Sequence, residues 1–119
     1  METQNLAQLK TLLGMLSEGQ FVEGMEAFFA SDVTIQEVGQ APKTGRDHTI
    51  AVEKDLLAGV AEFIQYTAHS IGAGGDKTFY DATMEFKTTD GQHVIQNQAV
   101  VTTWQNGKIV DERYYHGNV

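Results

Sequence analysis

His93-Val-Ile-Gln-Asn-Gln-Ala-Val-Val-Thr-Thr-Trp104, then Gln105-Asn106-Gly107, then Lys108-Ile-Val-Asp-Glu-Arg-Tyr-Tyr115 is the stretch whose reading decides the fold. Two runs rich in β-branched and aromatic residues flank an Asn-Gly pair, the strongest short-range signature of a β-hairpin. Strands this long need neighbours to cover their apolar face. The segment just upstream, Lys77 to Thr88, supplies one. It places Tyr80, Ala82, Met84 and Phe86 on one face and Asp81, Thr83, Glu85 and Lys87 on the other. Thr89-Asp90-Gly91 turns it into the hairpin, and Phe63 to Ile71 precedes it across the turn Gly72-Ala-Gly-Gly75. Four strands in an antiparallel meander are therefore expected.

The first half of the chain has a different period. Leu6, Leu9, Leu13 and Leu16 form one helical stripe that stops near Ser17-Glu18-Gly19. A second helix buries Phe21, Met25, Phe28 and Phe29 and ends at Ser31-Asp32. Val33 to Val38 reads as a strand with Val33, Ile35 and Glu37 on one face. The loop Gly39 to Gly45 carries the only proline. A third helix begins near Asp47, whose carboxylate suits a helix N-terminus, and turns Ile50, Leu57 and Val60 inward. The order is helix, helix, strand, helix, four strands. Helices on one face of a curved antiparallel sheet is the α+β solution.

Composition narrows the function. The 119 residues make one domain, 1–119, large enough for a core of its own. Cysteine is absent, which excludes disulfides and thiolate metal sites. The net charge of −8 argues against nucleic acid or an anionic membrane, which require clustered Lys and Arg. The longest apolar stretches are too short to span a bilayer, and the first residues lack the pattern of a signal peptide. A cytoplasmic protein is the expectation. The four His residues show no ligand spacing, so no metal is expected, and a carbonyl substrate, which delocalises the charge itself, would need no cofactor. A phosphate loop, a dinucleotide fingerprint and a G-x-S-x-G elbow are all absent.

Three motifs in order carry a resemblance: Phe28-Phe-Ala-Ser-Asp-Val-Thr-Ile35, then Gly45-Arg46-Asp47 opening a helix, and Asn106-Gly-Lys-Ile-Val-Asp-Glu-Arg-Tyr-Tyr115. With them the chain resembles the nuclear transport factor 2-like superfamily, and within it the SnoaL-like polyketide cyclases and ketosteroid isomerases. The resemblance implies a cone: a curved antiparallel sheet wraps three helices from the N-terminal half and leaves a pocket at its open end. It also implies a homodimer through the outer face of the sheet. The exposed strand faces are read as holding Gln96, Gln98, Thr102, Thr103 and Thr83, a polar mix suited to solvent or to such an interface. Of Asn97 and Gln98, one on each face, one is expected to be buried and to need a partner.

Two residues are candidates for chemistry. Glu37 shares a face with Val33 and Ile35 and is expected to point into the apolar interior, where desolvation raises a carboxylate's proton affinity. The resemblance places it where ketosteroid isomerases hold their catalytic Asp base. The rival reading is a carboxylate turned to solvent at a strand end. His116 is read on a face with Val110, Glu112 and Tyr114, at a position that is usually aromatic and pocket-lining in the family. Its rival reading is a solvated histidine near the chain end. His69, His48 and His93 are read as structural or solvated. Ile35, Tyr66, Met84, Phe86, Trp104 and Tyr114 are the expected substrate-binding wall.

One departure from the isomerases matters. Their oxyanion donors, a Tyr on the first helix and a protonated Asp on a strand, correspond here to Thr11 and to Ala99 or Val100. Steroid isomerisation by that route is therefore not expected. Two functions remain. One is a cofactor-free cyclase, isomerase or lyase acting on a small apolar carbonyl compound, with Glu37 as base and His116 or Tyr114 supplying a proton. The other is a non-catalytic protein that holds a hydrophobic ligand or serves as a dimeric accessory.

Overall fold

Gln105 pairs with Lys108 across a two-residue turn in which Asn106 has φ 54° and Gly107 φ 78°. Positive φ at both central residues is what a type I′ turn requires, and Asn-Gly is the pair that adopts it at least strain. The hairpin built on this turn joins β5 (His93–Gln105) to β6 (Lys108–His116). The computed structural model describes residues 2–116; Met1 and residues 117–119 lie outside it.

Upstream stand α1 (Glu2–Ser17), α2 (Phe21–Phe28), β1 (Phe29–Glu37), β2 (Lys43–Thr44), α3 (Arg46–Ala58), β3 (Val60–Gly74) and β4 (Lys77–Thr88). The six strands form one sheet in the order β2-β1-β6-β5-β4-β3. The β3–β6 meander is antiparallel, as the alternation implied. The sheet as a whole is mixed, because β1 runs parallel to β6. A crossover cannot be avoided here: β1 lies beside the last strand in the chain, and α3 and four further strands intervene. The chain turns straight from α2 into β1 at Phe29, earlier than Ser31-Asp32. The loop before α3 contributes the two-residue edge strand β2.

The leucine stripe of α1 lies against β3 and β4, with Leu9, Leu12 and Leu13 buried. Opposite them sit Val33, Val100, Trp104 and Ile109. Trp104 donates its indole N–H to the Thr78 hydroxyl at 2.9 Å and meets the Phe28 ring edge-on at 6.0 Å. Phe21 packs edge-on against both Phe63 and Tyr66, tying α2 to β3.

One irregularity re-aims the last strand. The register between β5 and β6 slips between Thr103 and Trp104, so Trp104 faces Ile109 while Thr102 faces Glu112. Such a bulge flips the alternation. Ile109, not Val110, joins the inner face and is fully buried. Beyond the bulge, Glu112, Tyr114 and His116 keep the inward orientation read from the sequence. The same register corrects the reading of the exposed faces. Gln98 and Thr102 lie opposite His116 and Glu112, and Thr102 is fully buried. Gln96 lies opposite the inner-face Met84.

Candidate active site

Between the inner face of the sheet and the helices lies a cavity of about 550 Å³, within the range of small-molecule sites. Its walls are mainly apolar. They are supplied by Leu12 and Leu16 of α1, Met25 of α2, Val52 and Leu57 of α3, and Phe63, Met84 and Phe86 of the sheet.

The strand register stacks the polar groups in rows. Ile35, Glu112, Thr102 and Thr78 stand side by side across β1, β6, β5 and β4. The next row is Glu37, Tyr114, Val100 and Tyr80. The parallel pairing of β1 with β6 is what brings Glu37 beside Tyr114. Glu37, Ile35, Tyr114, Tyr66, Met84 and Phe86 all line the cavity. Trp104 does not: the unbroken alternation of β5 keeps its ring on the inner face, but in the core against Phe28. His116 lies opposite Gln98 on the inner face but is not among the lining residues. The imidazole is thus not brought to Glu37.

The sequence reading passed over two acids. Glu112 is only 3% exposed and lines the cavity. Burial pushes its carboxyl up to about 7, although hydrogen bonds donated by the Tyr114 and Thr102 hydroxyls pull the other way. Tyr114 is in turn held far above the ordinary phenol range by burial and by the Glu112 charge. Glu53 is the second. It sits on the cavity face of α3, and its carboxyl is raised, first by desolvation and then by the charge of Glu37. Both were detectable. Glu112 interrupts an apolar strand face as Glu37 does, and Glu53 is four residues before Leu57 and seven before Val60 on the inward stripe.

A tyrosine pair completes the polar lining. The Tyr66 and Tyr80 hydroxyl oxygens are 3.2 Å apart, and the Gln98 side chain donates to the Tyr66 oxygen at 2.8 Å. Burial pushes Tyr66 up to about 12 and holds Tyr80 well above the ordinary phenol range. Gln98 is thus the inward amide of the Asn97–Gln98 pair. Asn97 accepts a hydrogen bond from Thr83 on the outer face, where His69 also meets Thr83. His93 bonds Glu85 on that same face. Among the described residues, no three His, Asp or Glu side chains gather as a cation would need. No helix among them is long and apolar enough to cross a membrane.

Comparison with known proteins agrees with this architecture. No curated protein matches the chain in sequence. Among solved structures, an NTF2-like protein of unknown function from Burkholderia pseudomallei superposes with a TM-score of 0.82 at 16% identity, covering 96% of this chain and 91% of that one. An LEH-like epoxide hydrolase from M. tuberculosis superposes with a TM-score of 0.81 at 20% identity, covering 98% and 84%. TerC, crystallised with polyporic acid, gives 0.78 at 12% identity, covering 96% and 92%. At these identities the likeness is one of fold, the nuclear transport factor 2-like α+β cone. The model of the SnoaL-like domain matches residues 11–112, nearly the whole chain, and the chain belongs to that family.

Proposed function

We propose that the cavity is an active site for cofactor-free acid–base chemistry on a small, mostly apolar carbonyl compound. The observation that carries this reading is one apolar-walled cavity lined by three separate carboxylates: Glu37 beside Tyr114, Glu53 on the facing helix, and the buried Glu112. Glu37 takes a C–H proton from the carbon next to the carbonyl, and the carbonyl oxygen gains a proton from the buried Glu112–Tyr114 pair. The product is an enol, with Glu37 protonated and the pair one proton short. Return of the protons, at the same carbon or a conjugated one, gives exchange or isomerisation and restores the enzyme. Glu112 suits this because an acid poised near the working pH gives up and regains its proton readily. Of the two proton suppliers read from the sequence, His116 or Tyr114, this reading keeps Tyr114 and joins Glu112 to it.

Deuterium exchange tests the reading. Acetophenone incubated with the protein in D₂O is expected to bind and to exchange its methyl protons faster than in buffer alone. Binding with exchange at the buffer rate would overturn the catalytic reading and leave a hydrophobic-ligand carrier.

A second copy of the chain fits the same proposal. Phe79, Ile95 and Tyr115 stand 40%, 59% and 45% exposed on the outer face of the sheet, set among polar side chains such as Asp81 and Glu85, and a partner would cover them. Light scattering is expected to give twice the 13.1 kDa chain mass. A mass of one chain contradicts the dimer.

A further inference from the structure

We infer that the Tyr66–Tyr80 hydroxyl pair is the subsite that receives the ligand's carbonyl oxygen, and that the ligand class it selects is an uncharged ketone. The inference rests on the cavity reading above and adds, on β3 and β4, the group that holds the oxygen to which the Glu112–Tyr114 pair supplies a proton.

Two phenol hydroxyls hold two hydrogens. The Tyr66 oxygen receives the Gln98 N–H at 2.8 Å, so its contact with Gln98 uses none of them. The 3.2 Å contact between the two hydroxyls uses one, whichever tyrosine donates. The second hydrogen then meets no acceptor among the described residues. If Tyr66 donates to Tyr80, the spare hydrogen is on Tyr80; if the direction is reversed, it is on Tyr66. Both residues are 5% exposed and both line the cavity. A buried O–H without an acceptor is costly, and a ligand oxygen removes that cost. Its neighbour or Gln98 already donates to the hydroxyl that carries the spare hydrogen, which strengthens that hydrogen as a donor.

Charge restricts the ligand. Glu37, Glu53 and Glu112 line the same cavity with one lysine, Lys43. A carboxylate or phenolate would enter against those acids and the apolar walls. A neutral ketone meets the donor without either penalty.

The pair makes an unusual prediction about substitution. Tyr66→Phe leaves Tyr80 with a free hydrogen. Tyr80→Phe leaves Tyr66 with one, still polarised by Gln98. Only the double variant loses the phenol donor, so the two substitutions are strongly non-additive.

The test uses two probes of one shape on the full chain: acetophenone and α-methylstyrene, in which the carbonyl oxygen is replaced by a methylene. Affinity is measured by calorimetry, and the stretch of carbonyl-labelled acetophenone by infrared difference spectroscopy. Wild type and both single variants are expected to shift the stretch to lower frequency and to differ less than about threefold in acetophenone affinity. The double variant is expected to bind acetophenone about tenfold more weakly, the worth of one net hydrogen bond, with the stretch moving back toward its free value. α-Methylstyrene should bind all four proteins alike, which also shows that the cavity of each variant is folded. If wild type binds both probes but leaves the stretch unshifted, as it would were the Gln98 amide turned to present its oxygen, the subsite is overturned while the cavity reading stands. If the single effects simply add, the paired-donor assignment is overturned. If wild type binds neither probe, the cavity reading falls and the subsite with it.

Discussion

Replacing Glu37 with Gln is expected to slow methyl exchange in bound acetophenone by about 10²–10⁴-fold, the usual worth of a positioned general base. The amide keeps the size and the place of the side chain at the end of β1 and removes its ability to take a proton. Affinity for acetophenone should change little, because the proton transfer belongs to the transition state and the apolar walls hold the ring. Proton NMR of the methyl signal in D₂O reads the rate, and calorimetry reads the affinity. An unchanged rate would move the base to another carboxylate of the cavity, Glu53 or Glu112.

The second large effect concerns pH. The Glu112 carboxyl is raised from an ordinary 4.5 to about 7 in the folded protein. Between those values the folded chain holds a proton that the unfolded chain has released. Stability from this group is therefore full below pH 4.5 and is lost as pH rises toward 7. Wild type is expected to lose roughly 2–3 kcal/mol between pH 5 and pH 8 relative to Glu112→Gln, whose amide does not titrate. The comparison with the variant removes contributions common to both proteins. Denaturant unfolding at a series of pH values measures it. Parallel profiles for the two proteins would show that Glu112 keeps an ordinary proton affinity.

These effects follow from how β1, β5 and β6 are joined, and the sequence reveals those joins unevenly. The Asn106-Gly107 turn and the alternation of Lys77 to Thr88 are local signals, and the bounds of β4, the end of β5 and the start of β6 fall at the residues that these signals mark. The parallel partnership of β1 and β6 is not local. The two strands are more than seventy residues apart, and no periodicity in either one names the other as neighbour. That partnership is what sets Glu37 beside Tyr114, so Glu37 could be named as inward-facing but its companion could not be named.

The bulge near Val110 hides the rest. Read as an unbroken strand, β6 puts Val110 with Glu112 and sends Ile109 outward. The extra residue instead buries Ile109 and leaves Glu112 at the head of the inward row. In sequence, Glu112 sits between Asp111 and Arg113 and resembles the charged rim of a hairpin. Its place on one face with Tyr114 marks it as inward, but the cross-strand Thr102 that shares its hydrogen bonding with Tyr114 is not legible from spacing. His116 shows the reverse case. Its alternation is read correctly, but the cavity ends before reaching it. Tyr66 and Tyr80 lie on different strands, fourteen residues apart, and are not register partners, since Tyr66 faces Met84 and Tyr80 faces Ile71, so no cross-strand spacing marks them as a hydrogen-bonded pair.

The measurement closest to the central claim, that a buried acid faces an apolar cavity, is a carbon-13 NMR titration of the Glu112 side-chain carboxyl, assigned by its loss in Glu112→Gln. A midpoint near 7 is expected for the desolvated group hydrogen-bonded to Tyr114 and Thr102. A midpoint near 4.5, the value of a carboxylate open to water, would contradict it.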